Sequence, residues 1–121
     1  MKKVDLGDDG LIPLELRFHH NPKSSHGFVA AALSSSVWHW SLGSDNEWNV
    51  EKIIKIDPIN LESWPMPVPA LITDILVSMN DKFIYFACWF HGDVRQYDIS
   101  DPSKPKLTGT LNQLSLKIRF K

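Results

Sequence analysis

The stretch ALITDILVSMNDKFIYFACWFHGDVRQYDISDPSKPKLTGTL, Ala70 to Leu111, decides the fold. It divides into four short β-rich runs. Leu71 to Ser78 is the first, and Met79-Asn80-Asp81 forms a turn into Phe83 to Phe90. His91-Gly92-Asp93 makes a second turn, after which Val94 to Ile99 alternates apolar and polar residues. Ser100-Asp101-Pro102 breaks that strand before a last one beginning near Lys106. Runs about ten residues apart, punctuated by Asn, Asp, Gly and Pro, predict antiparallel all-β structure rather than a sheet with helical crossovers. A four-strand meander of this length has the size of one β-propeller blade.

Working outward, Leu14 to Ile56 can be laid over this block at an offset of about 57 positions. In that overlay Leu14–His20 falls on Leu71–Val77, Gly27–Leu33 on Ile84–Phe90 and Val37–Ser41 on Val94–Asp98, without gaps. The sequence therefore predicts an all-β chain of two consecutive four-stranded antiparallel blades, residues 14–56 and 70–111. A terminal extension, 1–13, precedes them. The segment 57–69, with Pro58, Pro65, Pro67 and Pro69, reads as a long extended connection, because proline removes ladder donors. The alternative is a small antiparallel sandwich. Residues 112–121 form a divergent tail, whose Leu114, Leu116, Ile118 and Phe120 fit strand alternation better than a helix.

Composition narrows the function classes. Hydrophobic residues at 43%, with five Trp and six Phe, mark a globular chain, and a net charge of −1 offers no basic face for nucleic acid. No stretch approaches the roughly 18 apolar residues of a membrane span, and MKKVDLGDDGLIP has no apolar core for a signal peptide. The single cysteine, Cys88, excludes an internal disulfide and suits a reducing compartment, so the cytosol is the expected location. No Gly-rich phosphate loop, nucleophile elbow or Cys-x-x-Cys is present, and no residue is assigned as a catalytic acid, base or nucleophile. Two blades are fewer than a propeller needs to bury the faces of its sheets. The chain is accordingly expected to be a piece of a larger ring, with self-association through exposed blade edges.

Four strings carry a family resemblance: LELRFHHNP at Leu14–Pro22, HGFVAAALSS at His26–Ser35, LITDILVSMNDKFIYF at Leu71–Phe86, and WFHGDVRQYDISDPSKPKLTG at Trp89–Gly109. Over about residues 14–112 the chain resembles the selenium-binding proteins, whose members include methanethiol oxidases. The resemblance implies a cytosolic seven-bladed propeller roughly four times this length, of which the chain is an internal-to-late segment. It also implies selenium binding and the copper-assisted oxidation of a small thiol, methanethiol, to formaldehyde, hydrogen sulfide and hydrogen peroxide. The family's cysteine motif associated with selenium and the histidines of earlier blades have no counterpart in this sequence. NQLSLKIRFK after Leu111 leaves the family pattern, as a splice variant or truncated gene model would. This chain alone is expected to be inactive; the alternative is a non-enzymatic interaction or assembly module.

His91 has the strongest claim on chemistry, since turns between the second and third strands of a blade lie at a propeller's channel mouth. Imidazole is a good copper ligand, and Asp93 nearby is a candidate to orient a ring nitrogen. The competing reading is a plain turn, with Gly92 at positive φ and Asp93 capping backbone donors. His20, directly before Asn21-Pro22, is the second candidate metal ligand, against a turn-stabilising role. Only His20 and the Asn21-Pro22 pair match the family string, so the resemblance makes His19 incidental, and strand alternation sends the two rings to opposite faces, where they cannot both point into one site. His26 and His39 have weaker claims, and His39, between Trp38 and Trp40, is expected to face solvent. Cys88 alternates with Ile84, Phe86 and Phe90, so it reads as a buried, inert thiol and no selenium ligand is assigned in this chain. Asp8 and Asp9 read as solvated tail charges. The five tryptophans read as blade packing and loop anchors.

Overall fold

The computed structural model describes residues 1–112, and these form eight strands. They are β1 Pro13–Phe18, β2 His26–Ala31, β3 Ser36–Leu42, β4 Trp48–Lys55, β5 Ile72–Val77, β6 Phe83–Cys88, β7 Asp93–Asp98 and β8 Lys106–Asn112. Two four-stranded sheets result, ordered β1-β2-β3-β4 and β5-β6-β7-β8, with every neighbouring pair antiparallel. This order follows from the short links, which leave each strand no nearer partner than its sequence neighbour. The sheets are two adjacent blades of a β-propeller. The divergent tail lies, from residue 113 on, outside the described residues.

Turn chemistry sets the strand ends. Between β5 and β6 the Ser78 hydroxyl accepts from the amides of Lys82 and Phe83 at 3.2 and 3.0 Å, while Asp81 takes φ +58°. Between β6 and β7 Gly92 takes φ +72° and its amide donates to the Cys88 carbonyl at 2.9 Å. Its counterpart in the first blade is Ser35 at φ +54°, a left-handed conformation that costs a serine more than a glycine.

One apolar seam joins the blades. From the first come Phe28, Ala30, Val37 and Ile54, all at most 6% exposed. From the second come Ile72, Ile75, Ile84, Phe86 and Cys88, at most 1% exposed. A polar clamp crosses the seam. Glu15 accepts from the Ile75 amide at 2.8 Å, the Arg17 guanidinium donates to the Ile75 carbonyl at 3.1 Å, and Glu15 and Arg17 pair with each other. The irregularity in β5 between Ile72 and Ile75 accompanies this arrangement, in which side chains of the neighbouring blade satisfy a backbone residue.

Three expectations are corrected. The repeat is not uniform: Leu16 pairs with Val29 as Ile75 pairs with Phe86, so the first strands are related by 59 positions and the second by 57. The cause is the turn His19–Ser25, which is longer than Ser78–Lys82. The connection 57–69 does not run extended. It doubles back, with Ile59 and Val68 exchanging amide bonds at 3.0 and 2.8 Å and Trp64 donating to Leu61 at 3.0 Å. Asp9 is no loose charge either, since its carboxylate pairs with Lys52 and Lys55 at 2.5 and 2.8 Å. These two lysines hold its pKa down at about 2 and fasten the short 3-10 helix Gly7–Gly10 to β4.

Tryptophans serve the outer face and the loops rather than the seam. Trp40 lies over Gly27, where an added Cβ would come within 2.0 Å of the indole, and meets Phe18 and Trp48 edge-on at 4.8 and 5.3 Å. Trp64 and Trp89 are exposed.

Candidate functional site

His91 stands at the end of β6, in the turn to β7, where the connection 57–69 also arrives. Its Nε2 lies 2.9 Å from the Val68 carbonyl. A carbonyl only accepts, so Nε2 carries the proton and the neutral ring keeps its lone pair on Nδ1. Metal-binding imidazoles are commonly oriented in this manner, by giving the other N–H to a backbone carbonyl. Beside it is an apolar hollow of about 450 Å³ lined by Leu61, Trp64, Met66, Val68 and Phe90, among others. Phe90 and Trp89 stack with ring centres 5.8 Å apart.

Asp93 does not orient His91. Its carboxylate receives the Arg95 guanidinium, with Nε at 3.2 and 3.4 Å and Nη2 at 3.2 Å. The reason is alternation: Asp93 and Arg95 are two apart on β7 and share the face opposite Val94. Asp93 also faces Cys88. Burial first, and then the Asp93 charge and hydrogen bond, push the Cys88 thiol up to about 12. With Cys88 fully buried, the inert reading agrees with its surroundings.

His20 is elsewhere. It follows β1, its Nε2 lies 3.0 Å from the Val77 carbonyl at the far end of β5, and Asp81 accepts from its amide at 2.7 Å. In a meander, turns after first strands and turns after second strands fall at opposite ends of a blade. His20 and His91 are thus separated by the length of β5, about 20 Å for six residues at ~3.3 Å each. Among the described residues no group of three or more His, Cys, Asp or Glu is placed to hold a metal ion.

A second cluster was not foreseen. His39, expected to face solvent, is 6% exposed. It pairs in register with Phe28, which places it on the seam side of the sheet with His26. His26 Nδ1 lies 2.8 Å from His39 Nε2, the two rings stack at 5.0 Å, and His39 Nδ1 reaches Glu51 at 3.4 Å. His19 joins them 5.5 Å from His26, with Nδ1 on the Ser24 hydroxyl at 2.7 Å and a buried Nε2 without a partner among the described residues. Since Glu51 only accepts, His39 is protonated on Nδ1 and its Nε2 accepts from His26. Burial lowers the pKa of both His19 and His39, the nearby imidazoles add to it, and Asp81 and Glu51 respectively oppose it. Hairpin register would have revealed this cluster, because pairing around the Leu33-Ser34 turn sets His39 opposite Phe28.

Fold and site together define a class: a pair of propeller blades with an imidazole and an apolar hollow at one end. The chain belongs to the 56 kDa selenium-binding protein family, which matches over residues 1–116. The methanethiol oxidase of Xenopus laevis is 52% identical over 112 residues, covering 92% of this chain and 24% of that protein. That of Homo sapiens is 54% identical over 104 residues, 85% of this chain and 22% of its own length. Selenium-binding protein 1 of Arabidopsis thaliana is 50% identical over 109 residues, 89% and 22%. Among solved structures, a hypothetical selenium-binding protein from Sulfolobus tokodaii superimposes with a TM-score of 0.82 at 40% identity, over 90% of this chain and 26% of that one. The chain thus spans about a quarter of the length of the relatives it matches. Among the described residues no helix is long and apolar enough to cross a membrane.

Proposed function

We propose that the chain supplies two adjacent blades to a cytosolic propeller that oxidises methanethiol, and that the hollow beside His91 receives the thiol's methyl end. The observation that carries this reading is the juxtaposition of one oriented imidazole with an apolar wall of about 450 Å³. Pockets of that size and lining take small apolar ligands. A solitary imidazole does not fit a copper ion by itself, and copper softened by thiol substrates favours several nitrogen or sulfur donors. In this reading His91 contributes one ligand, the remaining ligands come from other blades, and His20 takes no part. Selenium is not held by this chain, whose one thiol is buried and protonated.

The test compares the purified 121-residue chain with a full-length relative. Copper content, methanethiol consumption and peroxide release are measured in both. The expected result is no stoichiometric copper and no turnover in the chain. In the relative, alanine at the position of His91 removes copper and activity at least tenfold, and alanine at the position of His20 leaves copper in place. Stoichiometric copper with turnover in the chain alone would overturn the assignment.

A further inference from the structure

The hollow beside His91 and the group that orients His91 belong to one short hairpin. Its base is the bridge between Ile59 and Val68, closed by the Val68 amide on the Ile59 carbonyl at 2.8 Å and the Ile59 amide on the Val68 carbonyl at 3.0 Å. The Val68 carbonyl therefore takes two donors, the Ile59 amide and, at 2.9 Å, His91 Nε2. A carbonyl oxygen has two lone pairs, and both are used here. Beyond the bridge the chain turns back, with the Trp64 amide on the Leu61 carbonyl at 3.0 Å. Of the seven residues around the hollow six lie in 61–69, and the seventh is Phe90, next to His91. All of these walls and bonds come from residues 59–69 and 90–91 at one end of the second blade.

A two-stranded hairpin held by a single bridge is marginally stable in water by itself. Contacts at its two ends therefore decide where it lies: the His91 bond at the base, and whatever fills the hollow toward the tip. Leu61, Trp64 and Met66 reach the hollow from the tip and Phe90 from the blade, so an apolar group between them gains contact on both sides and holds the hairpin against the blade. Holding the hairpin fixes the Val68 carbonyl. The carbonyl in turn fixes the ring, because it accepts the one hydrogen bond that the His91 side chain makes among the described residues. We propose that 59–68 is a strap that couples the two ends: Val68 is a positioning residue for His91, and loading the hollow with the methyl and sulfur of a small thiol turns and holds the imidazole with Nδ1 free. This rests on the reading of His91 and the hollow as one site. The coupling is reciprocal, so the oriented ring also tightens the hold on the apolar group. One hydrogen bond of this kind changes that hold by a factor of about two to ten.

Dimethyl sulfide, which carries methyl and sulfur without an S–H, is the probe, and nuclear magnetic resonance of the whole chain labelled with nitrogen-15 histidine at pH 8.5 is the readout. A ligand of three non-hydrogen atoms binds no tighter than about 0.5 mM, so the titration runs well above that. At saturation His91 is expected to show a single tautomer, protonated on Nε2, and a higher ring order parameter than in the free chain. Trp64→Ala changes the tip and leaves Val68 and His91 in place; it is expected to weaken the probe and to lower the ring order of His91 even without probe. His91→Ala is expected to weaken the probe about two- to tenfold. Circular dichroism checks that each variant keeps its strands, and Met66→Ala repeats the tip experiment should Trp64→Ala fail to fold. A probe that saturates the hollow while the His91 resonances stay unchanged would overturn the coupling. So would a tip variant that loses the probe but leaves the ring as it was, or the absence of saturable binding. Neither copper nor thiol oxidation enters this test, whereas the reading of His91 as a copper ligand fails on the copper content of the full-length relative.

Discussion

At the residue scale, neighbours on the same strand face decide what a side chain can do. Cys88 sits between the seam and the Asp93–Arg95 pair, so its thiolate would be both desolvated and beside a carboxylate. A thiol held near 12 presents almost no thiolate at neutral pH. The native chain is expected to take up iodoacetamide at pH 7.5 at least a hundredfold more slowly than the chain in urea, as read by intact mass. Equal rates would contradict both the burial and the inert reading. His91 and Asp93, two residues apart, illustrate the opposite lesson: proximity in the chain did not join them, because the strand hands Asp93 to Arg95.

At the element scale, the clamp on Ile75 distinguishes a seam made of fitted blades from two sheets that merely touch. Glu15 and Arg17 satisfy both backbone groups of one β5 residue. Removing the acceptor with Glu15→Ala strands the Ile75 amide and leaves Arg17 with the Ile75 carbonyl but without its carboxylate partner. An unsatisfied buried group costs about 1 to 3 kcal/mol, so a loss of that size in the urea unfolding free energy is expected. A loss below about 0.5 kcal/mol would mean that water replaces the carboxylate and that the seam rests on apolar contact alone. The same scale explains the register. Strand patterns were legible as alternations, but the length of the turn His19–Ser25 shifts β1 by two places, which preserves alternation and so leaves no trace in it.

At the scale of the whole molecule, acid acts on the fold through every group whose pKa folding displaces. His19 and His39 lie below their ordinary value of 6.5 in the folded chain. The carboxylates of Asp9, Asp81, Asp98 and Asp101 lie below 3.8, and that of Glu47 below 4.5. In each case the unfolded chain binds more protons over the window between its own pKa and the lower folded one, so stability falls as pH falls. The histidine contribution is fully present above 6.5 and lost below it; the carboxylate contribution is lost only as pH drops under about 4. Urea midpoints at pH 7.5, 5.5 and 3 are expected to decline in that order, and His39→Gln is expected to flatten the first step. A midpoint that rises between pH 7.5 and 5.5 would show the imidazoles to be stabilised as cations instead.

The sequence by itself determined the all-β class, the eight strands, the turns at Asp81 and Gly92, and the family, because alternation, turn chemistry and long shared strings are local properties. Only the tertiary structure decided which chemistry-bearing residues meet. Whether His20 and His91 face one mouth depends on which end of a blade each turn occupies. Whether His39 is buried depends on which sheet face the neighbouring blade covers.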